Sequence, residues 1–262
     1  MTFTLSEGDA PLLISVPHAG TEIPDELRAS YAAEALELPD TDWHVDRLYA
    51  FAADLGAGLL VACESRYVID LNRPSDDAQM YPGANNTELC PTRSFAGDTL
   101  YVNGSTPDTA ERARRIAAYW QPYHDALAQA LERVRTVHGH VVLLDAHSIK
   151  SELPWLFEGT LPHFNLGTAG GSSCRPALRD ELAAALASDP GFSSVVDGRF
   201  KGGQITRSYG RPETGVQAVQ LELAWRSYLD ERSPSAWDDG QAGKAAPVLR
   251  RFVETLVDWR PE

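Results

Sequence analysis

His18 and His147 each close a short, unbroken apolar run, and metal binding is the chemistry their pairing suggests. The runs are Leu12-Leu13-Ile14-Ser15-Val16-Pro17-His18 and Val141-Val142-Leu143-Leu144-Asp145-Ala146-His147. A catalytic zinc takes about three N or O ligands and keeps one position open for water. Either histidine alone is explained by a structural hydrogen bond; two at matching positions point to a shared ligand. The third donor is open among three acids. Asp42 and Asp46 stand four apart, as residues sharing a helix face do, and Glu22 lies four residues beyond His18. For Asp42, capping a helix is the competing explanation. Asp145, two residues before His147, shares its strand face and can hold its imidazole. Glu222, within Val219-Gln220-Leu221-Glu222-Leu223, is the candidate general base. Metal-assisted amide hydrolysis needs a carboxylate that takes a proton from water and passes it to the leaving nitrogen.

Arginines complete the set. Arg66, Arg73, Arg93, Arg207 and Arg211 lie in segments that loops can bring together, and arginine grips carboxylates bidentately. Arg207 sits in Gly202-Gly203-Gln204-Ile205-Thr206-Arg207-Ser208-Tyr209-Gly210, whose flanking glycines read as a substrate loop. His124, His138 and His140 stand in helix or turn contexts that need no ligand, and His163, in a loop, stays open. No GxGxxG, no phosphate loop and no GxSxG nucleophile elbow occurs.

These side chains need a frame that delivers them to one edge. Continuous apolar runs fit strands covered on both faces, as in a parallel sheet, and ligands bind at the carboxyl ends of such strands. The pattern predicts strands at 12–17, 59–63, 67–71, 140–145, 195–196 and 216–223. Helices are expected from Asp42, over 109–137, over 176–187 and over 241–257, with a kink or break at Pro122. Residues 74–107, rich in Pro, Gly, Asn and Thr, read as a long functional excursion. The alternation of strand and helix means an α/β class with a mainly parallel or mixed central sheet flanked by helices.

Bulk properties narrow the function. At 262 residues the chain can bury a large core as a single domain over 1–262. Hydrophobic content of 43% and charged content of 23% are those of a globular protein. A net charge of −14 argues against nucleic-acid binding, which needs a basic footprint. No apolar run reaches membrane-spanning length and no signal-peptide pattern opens the chain, so the cytoplasm is the expected compartment. Cys63, Cys90 and Cys174 show no metal-binding spacing and are expected as thiols.

The segments ISVPHAGTEIP, DTDWHVDRLYAF, ESRYVIDLNRP, LLDAHS and GGQITRSYGRP resemble the N-formylglutamate amidohydrolase (deformylase) family over residues 10–255. The resemblance implies hydrolysis of N-formyl-L-glutamate to formate and L-glutamate, within histidine degradation. That family is distantly similar to zinc carboxypeptidases and aspartoacylase-like deacylases, which implies their zinc-carboxypeptidase-like, phosphorylase/hydrolase-like fold. The wider group has a strand-end His, a later Asp-x-His, an Asp-Leu-Asn-Arg carboxylate grip and a late strand Glu. These map onto His18, Asp145-Ala146-His147, Asp70-Leu71-Asn72-Arg73 and Glu222. Where the wider group's His-x-x-Glu places its acid, this chain has Thr21, so Asp46 is taken as the third ligand.

The implied site therefore holds Zn2+, or another divalent metal, on His18, Asp46 and His147, with Asp145 behind His147. Glu222 is the base, Arg66 stabilises the oxyanion, and Asn72, Arg73 and Arg207 bind the substrate's carboxylates. The implied partner is a small N-formyl amino acid dianion, neither nucleic acid nor membrane. The rival readings are an amidohydrolase of another N-acyl amino acid and a non-catalytic carboxylate-binding relative.

Overall fold

The computed structural model describes residues 1–80 and 85–261. Among them, strands β1 (Phe3–Ser6), β2 (Leu12–Val16), β3 (Gly58–Ala62), β4 (Val141–Ile149), β5 (Phe164–Gly167), β6 (Ser194–Val196) and β7 (Val216–Ala224) form one sheet. Its order is β1-β3-β2-β4-β7-β5-β6. The sheet is mixed. Strands β3, β2, β4 and β7 run parallel, β1 pairs antiparallel with β3, and β5 pairs antiparallel with β7.

The apolar runs form the sheet centre for the reason their composition suggests. Every residue of β2 and β4 is buried, and helices cover both faces. On one face Leu12, Ile14, Leu144 and Leu221 pack with helices Pro176–Leu186 and Asp239–Asp258. On the other, Leu13, Val141, Leu143 and Ala218 pack under Tyr123, Leu127, Leu131 and Val134 of helix Gln121–His138. Residues 145 and 147 of β4, and 220 and 222 of β7, belong by alternation to this second face. They lie beyond its apolar portion, at the carboxyl end.

From β2 the chain passes to β3 on one side and later to β4 on the other. The crevice between β2 and β4 is thus a topological switch point, where open α/β sheets bind ligands. His18 and His147 stand at its two lips.

Several local expectations change. Tyr67–Leu71 is a turn and coil rather than a strand, while β1 and β5 went unforeseen. The helix expected from Asp42 begins only at Val45 and ends at Leu48, and Asp42 caps nothing. Around Pro122, the helix Thr109–Arg115 passes through a π-helical stretch, Ile116–Trp120, before Gln121–His138. The wider turn absorbs the residue that cannot donate its backbone N–H. Within the excursion 74–107, residues 81–84 lie outside the described residues.

Candidate active site

His18 follows β2 by two residues, with its backbone carbonyl accepting from Asp42 N at 3.0 Å. That bond pins the loop carrying Asp42 against the strand end. Leu38 (φ 54°) and His44 (φ 60°) bracket this loop in left-handed conformations that non-glycine residues rarely adopt. Such turns fold the segment inward, and Asp42 becomes 1% exposed. Its Oδ2 lies 3.0 Å from His147 Nδ1, accepts from Ser148 N at 3.1 Å and stands 3.8 Å from His18 Nδ1. Ligand atoms of His18, Asp42 and His147 all lie within 4.8 Å of one another.

A carboxylate lies behind each ring, but only that behind His18 is hydrogen-bonded to it. His18 Nε2 is 2.7 Å from Asp70 Oδ1, which leaves Nδ1 facing Asp42, buried and without a hydrogen-bond partner. His147 Nε2 lies 2.9 Å from Asp145 Oδ1 in an off-axis contact, and the Asn72 amide nitrogen also stands 2.9 Å from it. The two Nδ1 atoms and one carboxylate oxygen make a buried N2O donor set. An orphaned ring nitrogen aimed at the other two donors is what a divalent cation would satisfy, so these residues fit a metal.

The electrostatics are those of a concentrated charge cluster. Burial, aided by the Arg66 charge, lowers the His18 pKa. Burial opposes charging of His147 too, yet Asp145 and Asp42 hold it well above the usual range. For Asp70, burial is outweighed by His18 and Arg66, which keep the carboxyl well below its ordinary value. Glu222 stands directly beside His147 in the β4–β7 register, and Gln220 donates to its Oε2 at 3.2 Å. Burial pushes its carboxyl up to about 8, with Asp42 adding to the rise and His147 and Arg66 opposing it.

These groups open into a cleft lined by His18, His147, Glu222, Gln220, Asn72, Arg66, Arg73 and Arg199. Phe95, Ile149, Leu156 and Phe200 form its apolar wall. Arg66 donates to Asp70 Oδ2 at 2.8 Å, lies 3.5 Å from Asp42 Oδ1 and covers the Phe95 ring at 4.5 Å. Asn72 reaches the cleft, but its amide is occupied. Nδ2 donates to Asp145 Oδ2 at 2.9 Å, and Oδ1 accepts from Ile205 N at 2.8 Å. Arg73 donates to Thr87 O, Thr87 Oγ1 and Asn72 O.

The structure brings His18, His147, Glu222, Asp145, Arg66, Asn72 and Arg73 to one cleft or its immediate surround. Two expectations are corrected. Asp46 and Glu22 are exposed and lie outside the cluster, whose acid is Asp42, because the acid sits in an inward-folded loop rather than on a helix face. Arg207 is exposed, does not line the cleft, and donates from Nε to Gly202 O at 2.8 Å. Arg199 lines it instead. Asp70 was expected in a substrate grip, and it orients His18. Its spacing from Arg66, four residues, was the available signal.

A model of the N-formylglutamate amidohydrolase family matches residues 10–229. The chain is 49% identical over 259 residues to an N-formylglutamate deformylase of Pseudomonas aeruginosa, covering 99% of this chain and 97% of that one. It is 47% identical over 256 residues to an N-formylglutamate deformylase of Pseudomonas putida, covering 98% and 96% respectively. A solved N-formylglutamate amidohydrolase from Ralstonia eutropha superposes with a TM-score of 0.81 at 27% identity, covering 98% of this chain and 96% of that one. With the family matched across most of its length and both curated relatives aligned end to end, this chain belongs to the N-formylglutamate amidohydrolase family.

Proposed function

We propose that the protein hydrolyses N-formyl-L-glutamate to formate and L-glutamate with the help of a divalent metal, zinc being the first candidate. The family resemblance implies histidine breakdown as the setting. The observation that carries this reading is the convergence of His18 Nδ1, Asp42 and His147 Nδ1 beside the buried Glu222 carboxyl in one arginine-bearing cleft. His18, Asp42 and His147 would hold the metal. When bound, such a cation supplies Lewis acidity, which makes water a nucleophile near neutral pH and polarises a carbonyl.

The chain's own groups account for the rest. Asp70 orients the His18 imidazole, and Asn72 and Asp42 that of His147, so that Nδ1 of each faces the donor pocket. The Glu222 carboxylate takes a proton from the water that adds to the formyl carbon. As the C–N bond breaks, the same carboxyl returns that proton to the departing glutamate nitrogen. A carboxyl whose pKa burial raises from its ordinary range to about 8 suits the return of the proton to the leaving nitrogen. Arg66, held by Asp70 and Asp42, presents fixed positive charge to the oxyanion that develops. Arg73, whose hydrogen bonds all go to neutral oxygens, keeps its charge available for a substrate carboxylate.

The test is formate release from N-formyl-L-glutamate by metal-reconstituted protein, with acetate release from N-acetyl-L-glutamate measured alongside. Rapid formate release, lost on chelation and reduced about 10²- to 10⁴-fold in Glu222→Gln with metal content kept, is the expected result. Acetate release at an equal rate would move the substrate to a broader N-acyl class. Turnover that ignores chelation would remove the metal from the proposal.

A further inference from the structure

The cleft-lining arginines are not equivalent, and their differences bear on how a substrate with two carboxylates is selected. Arg66 is buried and committed to Asp70 and Asp42. Arg73 adjoins Asn72, whose amide touches His147 Nε2, so it stands on the catalytic side of the cleft. Arg199 enters from elsewhere. It follows β6, the last strand of the sheet, two places beyond the β7 that carries Glu222. Its Nε and Nη2 both donate to Leu156 O, at 3.2 and 3.1 Å, and its guanidinium lies 5.2 Å from the Phe200 ring centroid. Two bonds to one carbonyl and a ring contact orient this group in advance, and preorganised donors bind with less loss of freedom.

We infer that Arg199 is the specificity-determining residue that receives the side-chain carboxylate of the substrate, while Arg73 receives the α-carboxylate. The inference rests on the reading of the substrate as N-formyl-L-glutamate. The formyl group, the nitrogen and Cα must lie by His147 and Glu222, and with Arg66 committed to Asp42 and Asp70 the α-carboxylate falls to Arg73, whose hydrogen bonds go to neutral oxygens. The two methylenes carry the second carboxylate away along the apolar wall, where Leu156 and Phe200 meet Arg199. Shape and charge agree: the wall accepts methylenes and Arg199 ends it. A carboxylate one methylene shorter would stop before reaching the guanidinium. An uncharged amide would reach it but forgo the charge-assisted fork.

The experiment measures kcat and KM for N-formyl-L-glutamate, N-formyl-L-glutamine and N-formyl-L-aspartate with the metal-loaded wild type, Arg199→Met and Arg199→Lys. Wild type is expected to prefer glutamate over both analogues. In Arg199→Met the glutamate-over-glutamine preference in kcat/KM falls about 10- to 100-fold, carried by KM, as loss of a charge-assisted pair implies. Arg199→Lys, which keeps charge but not the fork, falls between. Glutamine turnover by the same preparations reports that they are folded. An Arg199→Met enzyme that keeps the wild-type preference would overturn this inference alone. A wild type inactive on N-formyl-L-glutamate yet active on another N-formyl or N-acyl amino acid would overturn the substrate reading and this assignment with it.

Discussion

Each imidazole of the cluster is fixed by polar neighbours, His18 by Asp70 and His147 by Asn72 and Asp42, with Nδ1 of each facing Asp42. Ligand rings fixed in this way need no reordering when a cation arrives, and losing such a partner typically costs about 10- to 100-fold in affinity. The position of Asp42 separates it sharply from Asp46. Asp42 is buried against both rings, whereas Asp46 is exposed on the short helix beyond. Asp42→Asn is therefore expected to weaken zinc binding by at least about 100-fold, and Asp46→Asn to leave it unchanged. Competition titration against a chromogenic chelator checks both. Equal losses in the two variants would return the third ligand to the helix face.

At the scale of elements, register places Glu222. Strands β4 and β7 run parallel with His147 opposite Glu222 and Asp145 opposite Gln220, so a one-residue slip of β7 would send Gln220 and Glu222 to the other face, away from His147. Behind the site, the π-helical stretch ends at Trp120, whose Nε1 donates to Arg73 O at 2.9 Å. His124 stacks on Trp120 with ring centroids 3.7 Å apart, and its Nε2 lies 2.9 Å from Leu71 O. The two rings thus hold the carbonyls on either side of Asn72. Burial lowers the His124 pKa to about 4, against the opposing pull of the Leu71 carbonyl, Asp145 and Asp125. The folded value lies below the unfolded value near 6.5, so the unfolded chain binds more protons between them. This stability is fully present above about pH 6.5 and is lost as pH falls towards 4. Replacing His124 with Gln, which keeps a donor near Nε2, should remove about 2 kcal/mol of the stability difference between pH 7 and pH 5. Urea denaturation at the two pH values measures it, and an unchanged slope would reject the assignment.

For the whole molecule, the donor set joins three separate parts of the chain: the end of β2, the loop before the short helix, and β4. A cation bound there stabilises only the folded state, by about 2.7 kcal/mol at a hundredfold excess over its dissociation constant. For a protein of this size that corresponds to a rise in melting temperature of about 5 to 10 °C. Calorimetry before and after chelation, and again after zinc is restored, should show that shift in both directions. A melting temperature indifferent to chelator would mean the three segments are held without a cation. The net charge of −14 poses no obstacle to an anionic substrate, because Arg66, Arg73 and Arg199 gather at the cleft. No helix among the described residues is long and apolar enough to cross a membrane.

What was legible in the sequence was whatever local pattern encodes. The apolar runs announced β2, β4 and β7, because a strand buried on both faces is apolar along most of its length. They carried His18, Asp145, His147 and Glu222 to one edge by residue count alone. The short strands β1, at the sheet edge, and β5, between β7 and β6, lacked that signature, since pairing with neighbours rather than a long apolar run makes them strands. Asp42, Arg199 and the true position of Arg207 were decided only by the tertiary structure. Their loops and short helix take their course from contacts with distant segments: Asp42 from His18 O and His147, Arg199 from Leu156 O. Local sequence sets periodicity, but which side chain a loop turns inward depends on partners more than a hundred residues away, as Asp42 and His147 are.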